Sequence, residues 1–189
     1  LWDAQTGKEV RQFTSDTQMA LRLAVSPDGR YVLAASGFRE GNFAGPRLWN
    51  AESGKELRRL PGTTEPSDLY TDQRIAYSPD GTLLAACDSD QLKIYNSVTG
   101  ELIAALSGHD RDVLSVAFSR DGKYVATGSG DTTVRLWEAG SGKLIHILRG
   151  HAAEVGGVVF TPDGKTLLTS SEDGMLILWD VETGELLRS

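Results

Sequence analysis

The sequence predicts an all-β fold in which one unit of four short antiparallel strands is repeated along the chain. One observation is a recurring phrase, in which a branched apolar residue precedes an aromatic residue and a glycine lies five residues after that aromatic. The aromatic residues of its five copies are 47, 46, 42 and 42 residues apart: Trp2, Trp49, Tyr95, Trp137 and Trp179. The other is an Asp-Gly pair between apolar runs, a strong hairpin signal, with Asp at positions 28, 80, 121 and 163. A fixed period of this length indicates one supersecondary unit used several times.

The copy that ends at Trp137 shows the four strands of the unit in order. Its predicted strands are 113–118, 124–129, 134–137 and 143–148. The third of these alternates between apolar and polar side chains, as a half-buried strand does. The copy that ends at Trp179 follows the same order, with predicted strands at 155–160, 165–170, 175–179 and 185–187. Helical periodicity occurs nowhere in the sequence.

A single four-stranded sheet cannot bury both of its faces, so the units are expected to stack face to face. Radial stacking gives a β-propeller, which leaves only short, protected strand edges. The sequence therefore predicts about four blades plus one partial blade of an incomplete ring. The expected boundaries are 1–13 for the end of a preceding blade, and 20–60, 73–106, 113–148 and 155–188 for the four blades.

The last two units carry further polar residues at matching positions. A Gly-His pair precedes the first strand, Ser and Asp precede the third strand, and Trp ends it. These residues are His109, Ser129, Asp131 and Trp137 in one unit, and His151, Ser171, Asp173 and Trp179 in the next. On these motifs the chain resembles the WD-repeat β-propellers over essentially its whole length. The resemblance implies that each set forms a buried hydrogen-bonded tetrad that ties outer strands to inner ones, because buried polar groups must be paired.

The two earlier units depart from this pattern. Neither has a Gly-His pair before its first strand, and Tyr95 replaces Trp in the second of them. We therefore expect these blades to lack the full tetrad and to be less rigid than the last two.

Two insertions lengthen the earlier units. Residues 37–46 lie between the second and third predicted strands of one blade, and residues 61–72 lie between that blade and the next. Both are expected at the same end of the propeller, the loop-bearing end, and long loops on one face of a repeat protein often form a binding surface. The alternative is that sequence drift lengthened these two loops and that they contact no partner. The candidate partner-binding residues are of types enriched in binding hot spots: Phe38, Arg39, Phe43 and Tyr70.

Composition narrows the possible partners. The net charge of −7 and the scattered arrangement of the 19 basic residues argue against binding to nucleic acid, which requires a basic face. No apolar run approaches the roughly 20 residues that span a bilayer, so we expect no membrane association and a cytoplasmic location. The single cysteine, Cys87, lies in an apolar stretch and is expected to be a buried core residue.

The sequence predicts no metal site, cofactor site or catalytic residue. His109 and His151 fall at the tetrad position, and His146 lies in an outer strand without a Cys or carboxylate at zinc-site spacing. An enzyme with its site in the central channel would need polar residues at the starts of the innermost strands. Those starts are Leu21, Arg74, Val113 and Val155, which do not form a cluster of catalytic or ligand residues.

The expected function is that of a non-catalytic protein–protein interaction scaffold, which binds a protein partner through the loop-bearing end. One alternative is a regulatory or sensor propeller of a larger kinase or NTPase polypeptide. Another is a propeller enzyme or a small-ligand binder. Because the chain begins within a repeat and four blades leave two end faces open, we expect either further blades in a longer protein or self-association that closes the ring.

Overall fold

The computed structural model describes residues 1–14, 20–36, 46–60 and 74–189. Within these ranges the chain forms sixteen strands and no helix. The strands make four sheets, and in each sheet four strands pair antiparallel in the order in which they occur along the chain. The predicted all-β fold of four-stranded antiparallel blades is therefore confirmed.

The four sheets follow one another along the chain. The first contains β1 (Ala20–Val25), β2 (Tyr31–Ser36), β3 (Arg47–Asn50) and β4 (Glu56–Arg59). The second contains β5 (Ile75–Tyr77), β6 (Leu83–Asp88), β7 (Gln91–Asn96) and β8 (Leu102–Leu106). The third contains β9 (Val113–Phe118), β10 (Tyr124–Ser129), β11 (Val134–Glu138) and β12 (Leu144–Leu148). The fourth contains β13 (Val155–Phe160), β14 (Thr166–Ser171), β15 (Leu176–Asp180) and β16 (Leu186–Arg188).

A hydroxyl and an aspartate fix the turn between the first and second strands of every sheet. In the third sheet, the Ser119 hydroxyl donates to the Asp121 carboxylate over 2.6 Å and accepts the backbone N–H of Tyr124 over 2.9 Å. Asp121 also accepts the backbone N–H of Lys123 over 3.0 Å. The equivalent aspartates make the same contacts in the other sheets: Asp28, Asp80 and Asp163. These side chains satisfy the backbone of their own turns, so they act as structural turn formers.

The sheets pack face to face in chain order, with their first strands side by side. β1 lies beside β5, β5 beside β9, and β9 beside β13. Each interface buries an apolar core; between the third and fourth sheets, Val134 and Leu136 pack with Leu167 and Trp179. The sixteen strands form an open arc of propeller blades rather than a closed ring.

Both ends of the arc present apolar side chains. Val134 of the third sheet is 0% exposed under the fourth sheet, whereas its counterpart one repeat later, Leu176, is 59% exposed. At the other end, Leu23 and Val25 of β1 are 68% and 59% exposed. No described residue covers these two faces.

Residues 1–14 lie against the outer half of the first sheet. Trp2 and Glu9 form an isolated antiparallel bridge, which matches the pairing of Trp49 with Glu56 in β3 and β4. Phe13 packs edge-on against Trp49 with 6.4 Å between the ring centroids. This segment therefore lies where the two outer strands of a preceding sheet would lie.

Candidate functional site

A buried series of hydrogen bonds joins two strands of the third sheet to the segment that precedes the sheet. The indole N–H of Trp137 on β11 donates to the hydroxyl of Thr127 on β10 over 3.0 Å. This hydroxyl oxygen lies 2.8 Å from Nε2 of His109, and Nδ1 of His109 lies 2.8 Å from a carboxylate oxygen of Asp131. We call the series Trp137–Thr127–His109–Asp131 the third-sheet network.

The direction of each hydrogen bond in this network follows from the protonation of His109. Burial lowers the pKa of His109 from 6.5, against the opposing effect of Asp131, so the imidazole is neutral at neutral pH. The ionised Asp131 carboxylate can only accept, so it takes the Nδ1–H, and Nε2 is left as an acceptor for the Thr127 hydroxyl. Thr127 thus accepts one hydrogen bond from Trp137 and donates one to His109.

Four donors hold Asp131 in its ionised form. Burial raises the pKa of this carboxyl, but the hydrogen bonds outweigh burial and lower the pKa to about 2. The donors are the Thr133 hydroxyl at 2.7 Å, the Thr133 backbone N–H at 2.9 Å, the Asp110 backbone N–H at 3.1 Å, and His109. The carboxylate therefore fixes the imidazole of His109, the backbone of the adjacent Asp110 and the backbone of the turn at Thr133.

The fourth sheet repeats this arrangement as the fourth-sheet network. Trp179 donates to Thr169 over 3.0 Å, Thr169 lies 2.8 Å from His151, and His151 lies 2.9 Å from Asp173. The backbone N–H of Ala152, with further hydrogen bonds, lowers the pKa of Asp173 to about 2 although burial raises it. The two networks place predicted residues together: His109, Asp131 and Trp137 in one, and His151, Asp173 and Trp179 in the other.

The hydroxyl in each network belongs to Thr127 or Thr169, two residues before the predicted serine. Ser129 instead donates to the backbone carbonyl of Arg111 over 2.9 Å and accepts a turn N–H over 3.1 Å. Ser171 makes the equivalent pair of bonds. Each serine therefore joins the segment that precedes its sheet to the turn between the second and third strands, and lies outside the network. The available signal was a threonine ten residues before the tryptophan in both units.

The first two sheets cannot form such a network. Ala34 pairs with Arg47, and Ala86 pairs with Lys93, in the same way as Thr127 pairs with Arg135. Alanine has no hydroxyl, and none of the three histidines of the chain lies before residue 109. The first two sheets therefore lack both the histidine and the central hydroxyl that the network requires.

The candidate partner-binding residues lie outside the described residues: Phe38, Arg39, Phe43 and Tyr70. The strand order still defines what their segments connect. Residues 37–45 belong to the connection from β2 to β3, and residues 61–73 belong to the connection from β4 to β5. In the third sheet the equivalent connections carry Asp131 and His109, so all of these connections start from strand ends at the loop-bearing end.

The described residues form a pocket of about 300 Å³ at the loop-bearing end, between the third and fourth sheets. It is lined by Arg111, Asp112, Leu114, Gly130 and Glu154. Arg111 and Glu154 form an ion pair of 3.1 Å, and Arg111 also donates to the carbonyl of Gly130 over 3.3 Å. The sequence does not predict this pocket, because its walls come from successive repeats and meet only after the sheets stack.

The remaining residues considered for chemistry make structural contacts. Nε2 of His146 donates to the backbone carbonyl of Glu182 over 2.9 Å, and Cys87 is buried in the core between the second and third sheets. Among the described residues, no group of three or more His, Cys, Asp or Glu side chains is placed to hold a metal ion. That part of the chain also contains no helix of the length and apolarity that a membrane span requires.

Known proteins share parts of this sequence. An intraflagellar transport protein 122 homolog from Homo sapiens is 41% identical over 63 residues, 33% of this chain and 5% of that protein. The anaphase-promoting complex subunit cdh1 of Dictyostelium discoideum is 28% identical over 134 residues, 70% of this chain and 17% of that protein. The target of rapamycin complex subunit wat1 of Schizosaccharomyces pombe is 34% identical over 94 residues, 49% and 28% respectively. The chain spans less than a third of the length of each.

The family comparison covers more than half of the chain. The model for the WD domain, G-beta repeat, matches residues 54–96, 100–138 and 142–180. Each matched unit contains the outer strand of one sheet and the first three strands of the next. The resemblance drawn from the tetrad motifs is confirmed, and the chain belongs to the WD-repeat family.

Proposed function

We propose that this chain is a non-catalytic scaffold that binds a protein partner through the loop-bearing end of its arc of sheets. The observation that carries the proposal is the grouping of features at this one end. The lengthened connections from β2 to β3 and from β4 to β5 begin and finish there, and the charged pocket lies there too. Long surface loops grouped at one end of a repeat protein are a common form of binding surface.

The groups that line the pocket are accessible to a partner. The side chains of Arg111 and Glu154 are 65% and 36% exposed although they form an ion pair. An exposed ion pair contributes little to stability, so partner charges can replace it at small cost. Arginine is also among the residue types enriched in binding hot spots. These properties favour a binding role for the pocket over a structural one.

The names of two relatives support a role in protein assembly. One is a subunit of the anaphase-promoting complex, and the other is a subunit of a target of rapamycin complex. We infer that the present chain also works as part of a protein assembly, with a partner set by its own loop-bearing end.

The state of the buried polar groups supports a role without catalysis. His109 and His151 are buried, and both ring nitrogens of each are engaged within the networks. A general base must reach the substrate proton that it removes. Side chains bonded to one another inside a sheet serve rigidity instead.

Affinity capture with quantitative mass spectrometry tests the proposal, using two loop-end variants and a matched control. One variant combines Arg111→Glu with Glu154→Arg, which keeps an ion pair and reverses its direction. The second replaces residues 38–43 with Gly and Ser. The control, Lys143→Glu, reverses an exposed charge in a turn at the opposite end.

We expect proteins captured by the wild type and by the control to be depleted with both loop-end variants, while the midpoint of thermal unfolding stays unchanged. The proposal is contradicted if partners are lost with Lys143→Glu and retained with both loop-end variants.

A further inference from the structure

The four sheets share one strand arrangement but differ in their buried polar contacts. We propose that the chain opens in two stages under native conditions. The first sheet opens together with residues 1–14, while the third and fourth sheets stay closed as one unit. This order is a conformational device built into the repeats and needs no partner.

The third and fourth sheets are each tied together by a network. In the third sheet, Thr127 holds both Trp137 and His109, and Asp131 holds His109 from the other side. Removal of any one strand or of the incoming segment leaves the remaining groups buried without partners. Hydrogen bonds arranged in this way break together, which makes opening of the sheet cooperative.

Further contacts join the third sheet to the fourth. The core between them includes ten described buried residues, so separation of the two sheets exposes apolar area. The innermost strands are also bonded across the interface, since the backbone N–H of Val158 donates to the Ser115 hydroxyl over 3.1 Å. The two sheets therefore resist separation as well as internal opening.

The first sheet lacks the hydroxyl at the centre of the network. Ala34 stands where the third sheet has Thr127, so this position supplies no hydroxyl to join the strands to the segment that precedes the sheet. Among the described residues, 1–14 lie against its outer half, through contacts such as that of Phe13 with Trp49.

Exposed apolar faces do not set the order, because both end sheets have one: Leu23 of the first sheet is 68% exposed and Leu176 of the fourth sheet is 59% exposed. A side chain that is exposed while the sheet is closed gains no further exposure when the sheet opens. The free energy of opening depends only on contacts that are buried beforehand. The bare face of the fourth sheet therefore does not promote its opening.

The order of opening has a consequence that rests on the proposed function. The connections expected to bind the partner join β2 to β3 and β4 to β5, so they belong to the less stable side of the chain. Binding segments are commonly drawn from regions of low local stability. A bound partner would then slow opening of the first sheet.

Native-state hydrogen exchange followed by mass spectrometry tests the order in the absence of any partner. Peptides that cover β2 and β3 are expected to exchange about tenfold faster, or more, than peptides that cover β10 and β11 or β14 and β15, as expected for the loss of one or two buried hydrogen bonds. Equal exchange in all four sheets, or slower exchange in the first sheet, would overturn the proposal. Because no partner is added, this result is independent of the binding experiment.

A double variant, Thr127→Ala with Thr169→Ala, tests the cause. It gives the third and fourth sheets the residue type that Ala34 and Ala86 supply in the others, and should remove most of the difference in exchange rate. The matched control Thr166→Ala removes a hydroxyl from β14 outside the network and should preserve the difference. Persistence of the full difference in the double variant would overturn the proposal; if that variant does not fold, the wild-type profile decides.

Discussion

Trp137 and His109 are joined through one atom, the hydroxyl oxygen of Thr127, which lies 3.0 Å from the indole nitrogen and 2.8 Å from Nε2. A single small side chain therefore satisfies two buried polar groups that come from different segments of the chain. Because a buried polar group without a partner is costly, the contribution of Thr127 to stability should exceed that of a threonine in an ordinary strand position.

Thr127→Val should lower the free energy of unfolding by about 2–4 kcal/mol, because it leaves two buried groups unsatisfied at nearly constant volume. Urea denaturation monitored by tryptophan fluorescence measures this change. Thr166→Val on β14 is the matched control and should cost much less, since its hydroxyl lies outside the networks. Equal costs for the two substitutions would contradict the network.

Acid should destabilise the fold in two windows of pH. The pKa of His109 is lowered from 6.5, so its neutral form contributes stability that is present above 6.5 and lost as the pH falls through the lowered pKa. The pKa values of Asp131 and Asp173 lie at about 2 rather than 3.8. Their contribution is therefore present above 3.8 and lost between 3.8 and 2.

Urea denaturation across this range of pH measures both windows. Asp131→Asn should be less stable at neutral pH and should show a smaller loss in the more acidic window. An unfolding free energy that rises as the pH falls through either window would be inconsistent with the networks.

Two glycines with the same backbone conformation separate strain from close packing. Gly122 and Gly142 both have φ of +72°, but a Cβ at Gly142 would lie 2.5 Å from Cδ2 of Leu106 in the second sheet, whereas nothing lies within 4 Å at Gly122. Gly122→Ala should cost about 1–2 kcal/mol from the left-handed conformation. Gly142→Ala should cost a further 1–3 kcal/mol or so from overpacking. Chemical denaturation measures the free energy of unfolding of both variants. Equal losses would mean that the turn at Gly142 is not closely packed against Leu106 of the second sheet.

Tyr77→Phe should leave the fold as stable as the wild type, or stabilise it by up to about 1 kcal/mol. The Tyr77 hydroxyl is buried with no hydrogen-bond partner among the described residues, and Phe118 and Phe160 occupy the same position in the third and fourth sheets. Burial, with smaller effects from Asp28 and Tyr31, raises the pKa of Tyr77 from 10 to about 12.

The raised pKa adds an alkaline test of the same substitution. The stability contributed by protonated Tyr77 is present below pH 10 and is lost as the pH rises from 10 towards 12. The midpoint temperature of thermal unfolding should therefore fall more steeply between pH 10 and pH 12 for the wild type than for Tyr77→Phe. A marked loss of stability in the variant at neutral pH would show that the hydroxyl has a partner.

The sheets could be predicted from the sequence because their signals are local and repeated. The aspartate of each first turn, such as Asp121, bonds within its own hairpin, and the aromatic phrase marks the same strand in each unit. Local hydrogen bonding and strand alternation were enough to give the strand order within each sheet.

The assignment of the network hydroxyl failed for a geometric reason. Ser129 lies beside Asp131 in sequence, which made it the apparent partner, but the hydroxyl must lie inside the sheet, where it can reach both His109 and Trp137. Thr127 meets that requirement by strand register, a property that motif spacing does not encode. The pocket around Arg111 and Glu154 was beyond prediction for a related reason, since it exists only where two sheets meet.

The offset between the sequence unit and the sheet has an evolutionary consequence. Each matched unit supplies the outer strand of one sheet and three strands of the next, so duplication or loss of a whole unit changes the arc by one complete sheet. Where a unit is added or removed, every strand still has a pairing partner, and the chain still runs from each sheet into the next. Gain or loss of a whole unit therefore leaves no strand without a partner, and single positions such as Ala34 and Ala86 differ from the other units without loss of strand pairing.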